Sequence, residues 1–243
     1  MTIFAVHGFL GSGQDWQGLK NKSEHTQNLH WITPSLFDKS IDIQHMQNYE
    51  STVSVLRDAY LQSVESHGPG SRKFIGYSLG GRLGLHWMAK YPKDFDHWVF
   101  LSTHPGLELE LDRTLRLESD HKWIVALNEL DQAGFMKLWN GQEVFKNSVI
   151  AKPTEKSWSP EHLKTALDQL SLARQKDFAD AIRINEGKIS WVVGRQDIKF
   201  LNLAEKLKKD AKFDLHILNG GHRIYLDCPE QILRILGIPS HQP

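Results

Sequence analysis

The stretch Phe74-Ile75-Gly76-Tyr77-Ser78-Leu79-Gly80-Gly81-Arg82 constrains the rest of the chain more than any other. An apolar run leads into Gly-x-Ser-x-Gly, and a helix-forming segment, Leu83 to Lys90, follows. Strand, sharp turn and helix in that order hold a serine in a strained backbone conformation, with its hydroxyl exposed at a sheet edge. Crowding in such a turn admits only small neighbours. Gly76 and Gly80 supply them, and Gly81 lets the helix approach the strand. The helix N-terminus beneath the serine favours negative charge developing nearby. The five-residue pattern alone also occurs by chance in loops. Its flanking strand and helix are what make Ser78 a candidate nucleophile or base.

A chain of 243 residues suits one α/β domain with room for an insertion. Lys+Arg and Asp+Glu number 29 each, so the formal net charge is zero. That balance argues against nucleic acid or an anionic membrane surface as the main partner. It leaves room for a small anionic substrate, which needs only a local cluster of arginines. A single cysteine, Cys228, permits no internal disulfide and fits a reducing cytoplasm; just before Pro229, its role reads as structural. Met1 to Val6 is apolar, lacks a basic flank and is too short for a signal peptide or a membrane span.

The order of elements follows from hydrophobic pattern. Thr2 to Val6 reads as a strand buried on both faces and stops at the turn His7-Gly8-Phe9-Leu10-Gly11-Ser12-Gly13. A glycine turn after a first strand also suits a dinucleotide site. Here the third glycine is missing at the required spacing, and no acid marks a clear second strand end. His30 to Thr33 reads as a strand and Ile43 to Glu65 as one long helix, ending at His67-Gly68-Pro69-Gly70. His97 to Leu101 is the next strand. From Leu107 to about Glu186 strand patterns vanish and charged helical stretches carry Trp123, Phe135, Trp139, Phe145 and Trp158, as in a helical cap inserted over strand ends. Strands resume at Lys188 to Val193 and Lys212 to Leu218. A helix over Phe200 to Lys209 lies between them, with Lys206, Lys208 and Lys209 on a solvated face, and a last helix runs from Pro229 to about Leu236. The expectation is an α/β fold with a mostly parallel sheet of about six strands, helices on both faces and a cap at about 107–186.

Serine is a poor nucleophile or base by itself. It needs an imidazole to take its proton and a carboxylate to orient that imidazole. Asp197 follows one strand directly, and His222 lies in a glycine-rich loop after the next. Loops at the carboxyl ends of parallel strands open on one edge, so Ser78, Asp197 and His222 are expected together there, in the order serine, acid, histidine. Backbone N–H groups of Phe9, in the first loop, and Leu79, after the serine, are the expected oxyanion donors. Arg82 lies one helical turn after Ser78 on the same face. It suits either a surface ion pair or the binding of a carboxylate by its guanidinium fork.

These segments resemble one family in particular. His7 to Gly13 with Asp15-Trp16, and Gly76-Tyr77-Ser78-Leu79-Gly80-Gly81-Arg82, are similar to the oxyanion and elbow segments of the 2-succinyl-6-hydroxy-2,4-cyclohexadiene-1-carboxylate synthases. These are menaquinone-pathway lyases of the α/β-hydrolase superfamily. His104-Pro105-Gly106-Leu107, Arg116 to Trp123 with Ser119-Asp120, Trp139 and Ser171-Leu172-Ala173 resemble the family's cap. The resemblance spans nearly the whole chain. It implies an α/β-hydrolase fold and a lyase that removes a proton next to a conjugated group and expels pyruvate, with no metal and no organic cofactor. It implies that His222 and Ser78 relay the proton, that Arg82 and Arg116 clamp substrate carboxylates, and that Tyr77 and Trp139 line the pocket.

The chain departs from the family where a further cap arginine is usual shortly before Ser159-Pro160. It has Lys152 and Lys156 there, and Arg174 is a candidate to supply the charge from elsewhere. The same triad would serve a serine hydrolase acting on an ester, thioester or carbon–carbon bond. A ligand-binding protein on this fold would have no need of all three residues.

Overall fold

The strands at the centre of the sheet are apolar runs that bury both faces, and the two at its edges are only half-buried. In the computed structural model, which describes residues 1–38, 43–68, 70–149 and 159–239, six strands form one sheet. They are β1 (Thr2–Val6), β2 (His30–Ile32), β3 (Arg72–Tyr77), β4 (His97–Leu101), β5 (Ile189–Gly194) and β6 (Asp214–Leu218), in the order β2-β1-β3-β4-β5-β6. Every neighbouring pair is parallel. Alternation along the strands sends Phe4, Phe74, Trp98, Phe100 and Trp191 to one face and Ile3, Ala5, Ile75, Val99 and Val192 to the other.

Parallel neighbours require crossovers, and these are helices. In chain order they are α1 (Gln17–Ser23), α2 (Tyr49–His67), α3 (Leu79–Lys90), α4 (Glu110–Glu129), α5 (Gln132–Asn140), α6 (Pro160–Gln169), α7 (Ala179–Ile184), α8 (Ile198–Asp210), α9 (Ile224–Asp227) and α10 (Pro229–Ile235). The aromatic face packs against α2, α3 and α8; the aliphatic face packs against α1, α9 and α10. Between β4 and β5 stand only helices among the described residues. None of the helices is long and apolar enough to cross a membrane.

The alternation matches the expected strands to within two residues at every end. The long helix does not run unbroken. Ile43–Met46 is a single 3-10 turn, and α2 begins at Tyr49. Asn48 is the reason. Its backbone is extended, its side chain accepts from the Ser51 N–H at 2.8 Å, and its own N–H donates to Ser51 Oγ at 3.2 Å. That reciprocal cap starts a helix rather than continuing one. The α3 helix also begins four residues earlier than its pattern suggests, directly after Ser78.

Candidate active site

Ser78 stands at the junction of β3 and α3 with φ 50° and ψ −108°, a conformation that non-glycine residues rarely adopt. Its N–H donates to Leu101 O at 2.9 Å, and its carbonyl accepts the Arg82 N–H at 3.0 Å. The turn closes only because its neighbours lack side chains. A Cβ at Gly80 would lie 2.0 Å from Val6 O. Leu79 is the first residue of α3, so its N–H has no acceptor within the helix and is available at the serine.

Asp197 and His222 are brought together by two loops joined through their backbones. Arg195 N–H donates to Leu218 O at 2.7 Å and Gln196 N–H to Gly220 O at 2.9 Å. Gly194 makes the approach possible, since a Cβ there would stand 2.2 Å from Gly221 O. His222 Nδ1 then donates to Asp197 Oδ2 at 2.6 Å, with both side chains buried. A carboxylate on Nδ1 fixes the ring tautomer and leaves Nε2 as the basic nitrogen. The imidazole is walled by Phe200 at 4.5 Å, Tyr77 at 5.5 Å and Phe145 at 5.6 Å between centroids.

Ser78 and His222 open on one cavity of about 1060 Å³, together with Phe9, Leu79, Arg82, Arg116 and Trp139. The loop that carries Phe9 is pinned by a buried histidine: His7 Nε2 accepts the Leu36 N–H at 2.8 Å while Nδ1 donates to Gly8 O at 2.7 Å. Trp139 packs on Phe9 at 4.6 Å and edge-on to Trp123 at 4.8 Å. Tyr77 does not line this cavity. It follows the parity of Ile75, so strand alternation turns it to the aliphatic face, where it supports His222 from behind and packs on Tyr225 at 4.8 Å.

The two arginines reach the cavity already engaged. Arg82 Nη1 donates to Leu170 O at 2.9 Å and to the Tyr49 hydroxyl, which itself donates to Leu170 O at 2.9 Å. Burial pulls the Arg82 guanidinium below its ordinary pKa and pushes the Tyr49 phenol up to about 12. Arg116 Nε donates to both oxygens of the buried Asp120 at 2.9 Å, and Ser171 Oγ donates to Asp120 at 2.7 Å. The charge of Arg116 is therefore balanced by a neighbour, whereas the groups on Arg82 are neutral.

Arg174 is not among the lining residues. Its guanidinium is half-exposed and holds the carboxylate and the carbonyl of Asp168, each at 2.8 Å. Lys152, Lys156 and Trp158 lie outside the described residues. Lys206, read as part of a solvated face, pairs with Glu108 at 2.7 Å on the cavity wall. Sequence reasoning passed over Lys199 and Phe200, which line the cavity from the first turn of α8. Their signal was position: residues two and three beyond a loop acid start the next helix on the edge that holds the site. Tyr49, read only as part of a core stripe, carried no comparable signal.

The fold has counterparts. The chain is similar to the 2-succinyl-6-hydroxy-2,4-cyclohexadiene-1-carboxylate synthase of Enterobacter sp. (strain 638), with 26% identity over 95% of this chain and 90% of that one. It is also similar to a putative enzyme of the same name from Haemophilus influenzae, with 24% identity over 93% of this chain and 92% of that one. Among solved structures it matches MenH from S. aureus with a TM-score of 0.82 and 21% identity, covering 98% of this chain and 92% of that one. It matches the esterase EaEST from Exiguobacterium antarcticum with a TM-score of 0.74 and 13% identity, covering 98% and 90%. The family described as alpha/beta hydrolase fold matches residues 2–229. With a match of that extent over a six-stranded parallel sheet, the chain belongs to the alpha/beta hydrolase fold family.

Proposed function

We propose that this protein is a carbon–oxygen lyase of the 2-succinyl-6-hydroxy-2,4-cyclohexadiene-1-carboxylate synthase type, acting in the cytoplasm on a carboxylated cyclohexene intermediate of menaquinone biosynthesis. The helices at about 107–186 are read as a cap over a single domain. One observation carries the reading: Ser78 and His222 share a cavity with two arginines, one of them with no carboxylate partner among the described residues. A neutral ester has no use for such a charge, while a carboxylated ring does.

In this mechanism His222 accepts the Ser78 proton through Nε2, and Asp197 stabilises the imidazolium. The serine oxygen removes the ring proton next to the conjugated group. Electron density moves into the ring system, where the N–H groups of Phe9 and Leu79 stabilise the developing negative charge. The bond from ring carbon to enolpyruvyl oxygen then breaks with its electron pair, and the leaving enolate takes a proton to become pyruvate. Water is not consumed and no acyl-enzyme forms. Arg82 and Arg116 hold substrate carboxylates, and Trp139 packs against the ring.

The test is to supply the purified protein with the conjugated intermediate and, separately, with a panel of neutral esters. The reading expects stoichiometric pyruvate release and little ester turnover. Efficient ester hydrolysis without pyruvate would overturn it in favour of a serine hydrolase, the reading that the similarity to EaEST supports.

A further inference from the structure

The cavity wall holds a second imidazole. The Phe200 ring that packs on His222 also meets His104 edge-on, at 6.2 Å between centroids. His104 follows β4, is 8% exposed and lines the cavity. Its Nδ1 accepts the Gly106 N–H at 3.2 Å. A backbone N–H can only donate, so the ring proton resides on Nε2. Among the described residues no other group hydrogen-bonds this ring. Burial, with Lys199, Arg82 and Arg116 acting in the same direction, lowers the His104 pKa to about 3. At neutral pH the ring is therefore an uncharged donor facing a region of positive charge.

The charges on this wall do not cancel. Arg116 is matched by Asp120 and Lys206 by Glu108. Glu143 faces Lys146, and Asp112 lies in the first turn of α4, where the helix N-terminus favours it. Arg82 rests on a carbonyl and a phenol, both neutral. Lys199 lines the cavity and has no ion pair among the described residues. A neutral donor fixed in orientation, beside two cations without ion-pair partners among the described residues, is a built environment for an anion.

We propose that His104 and Lys199, with Arg82, form an anion subsite that holds a carboxylate of the substrate. The proposal rests on reading this cavity as the substrate site. His104 Nε2–H donates to one carboxylate oxygen. Lys199, exposed at the cavity mouth, supplies charge on a long stem that adapts to the ligand.

The test is calorimetric titration with propane-1,2,3-tricarboxylate, beside butyrate as a monocarboxylate control. It compares wild type with Lys199→Met, His104→Leu and His104→Gln. Wild type should bind the tricarboxylate saturably and butyrate much more weakly. Losing a charge-assisted contact should weaken tricarboxylate binding about tenfold in Lys199→Met and in His104→Leu. His104→Gln places an amide N–H near the former Nε2 and should recover most of the loss. Lys199 is exposed, so its variant keeps the question answerable even if His104→Leu folds poorly. No saturable tricarboxylate binding by wild type, or unchanged affinity in Lys199→Met, would overturn the subsite. Pyruvate release with unchanged tricarboxylate affinity in Lys199→Met sinks the subsite and leaves the lyase. Tricarboxylate binding that depends on both residues, without pyruvate release, keeps the subsite and sinks the lyase.

Discussion

Ser78, Asp197 and His222 each stand within four residues of a strand end, on β3, β5 and β6. The groups that hold Arg82 and Arg116 come from elsewhere: Tyr49 on α2, the Leu170 carbonyl after α6, Asp120 on α4 and Ser171. One end of the cavity is thus set by backbone, through parallel strands that deliver their loops to one edge. The other is set by groups, most of them side chains, that α2, α4 and the turn after α6 bring together. Backbone-set positions tolerate replacement of the side chain itself. Side-chain-set positions depend on every partner in the group, so a substitution there disturbs its neighbours as well.

The largest effect should come from the backbone-set end. Ser78→Ala should fold normally, because alanine is smaller than serine at the same strained position, and should lose about three or more powers of ten in kcat. Residues that act as one unit are not additive. Adding Asp197→Ala or His222→Ala to Ser78→Ala should therefore cost little more, measured as pyruvate release. Multiplicative losses would show that Asp197 or His222 works apart from the serine.

Acid should strike the side-chain-set end first. Burial lowers His86 and His104 to about 3, from an ordinary value of 6.5. Above about pH 6.5 both are neutral, folded or unfolded, and their contribution to stability is complete. As pH falls towards about 3 the unfolded chain binds protons that the native fold refuses. Stability is then lost by up to about 1.4 kcal/mol per pH unit for each histidine. His86 lies flat on Tyr49 at 4.0 Å, and its Nε2 has no hydrogen-bond partner among the described residues. His86→Phe should preserve that stacking and remove part of the loss between pH 7 and 5, to which His97 and His216, also lowered by burial, add their own share, read by denaturant unfolding at both values. An unchanged pH dependence would show that His86 is protonated in the native state.

The smallest effect concerns the phenol that joins α2 to this cluster. Tyr49→Phe removes the hydrogen bonds to Leu170 O and from Arg82 while keeping the ring on His86. It should cost about 0.5–1.5 kcal/mol, seen as a fall of a few degrees in Tm. A much larger loss would mean that the phenol, rather than the Leu170 carbonyl, is what holds Arg82.

The same contrast explains what could be read from the sequence. The central strands were legible because burial on both faces leaves uninterrupted apolar runs, and the elbow because only glycine fits beside Val6 O and Gly80 O. Asp197 and His222 were legible as loop residues after strands. Tyr77 was misread as pocket-lining because resemblance names a residue without naming its face; its parity with Ile75 assigns the aliphatic side. The pairing of Arg116 with Asp120 follows helical spacing, but the Ser171 bond to Asp120 spans 51 residues and leaves no local pattern. Nor does the Arg82 bond to Leu170, 88 residues away.

The central claim is that one cavity joins a serine–histidine relay to a cation reserved for substrate carboxylates. Arg82→Met tests it most directly, because methionine keeps much of the apolar stem and deletes the fork and its charge. The quantity to measure is kcat/KM of wild type and variant, on the carboxylated intermediate and on a neutral p-nitrophenyl ester. The account expects a loss of about ten- to a hundredfold on the first and a far smaller loss on any turnover of the second. Equal losses on both would contradict it, and would make Arg82 a support for the elbow rather than a ligand for substrate.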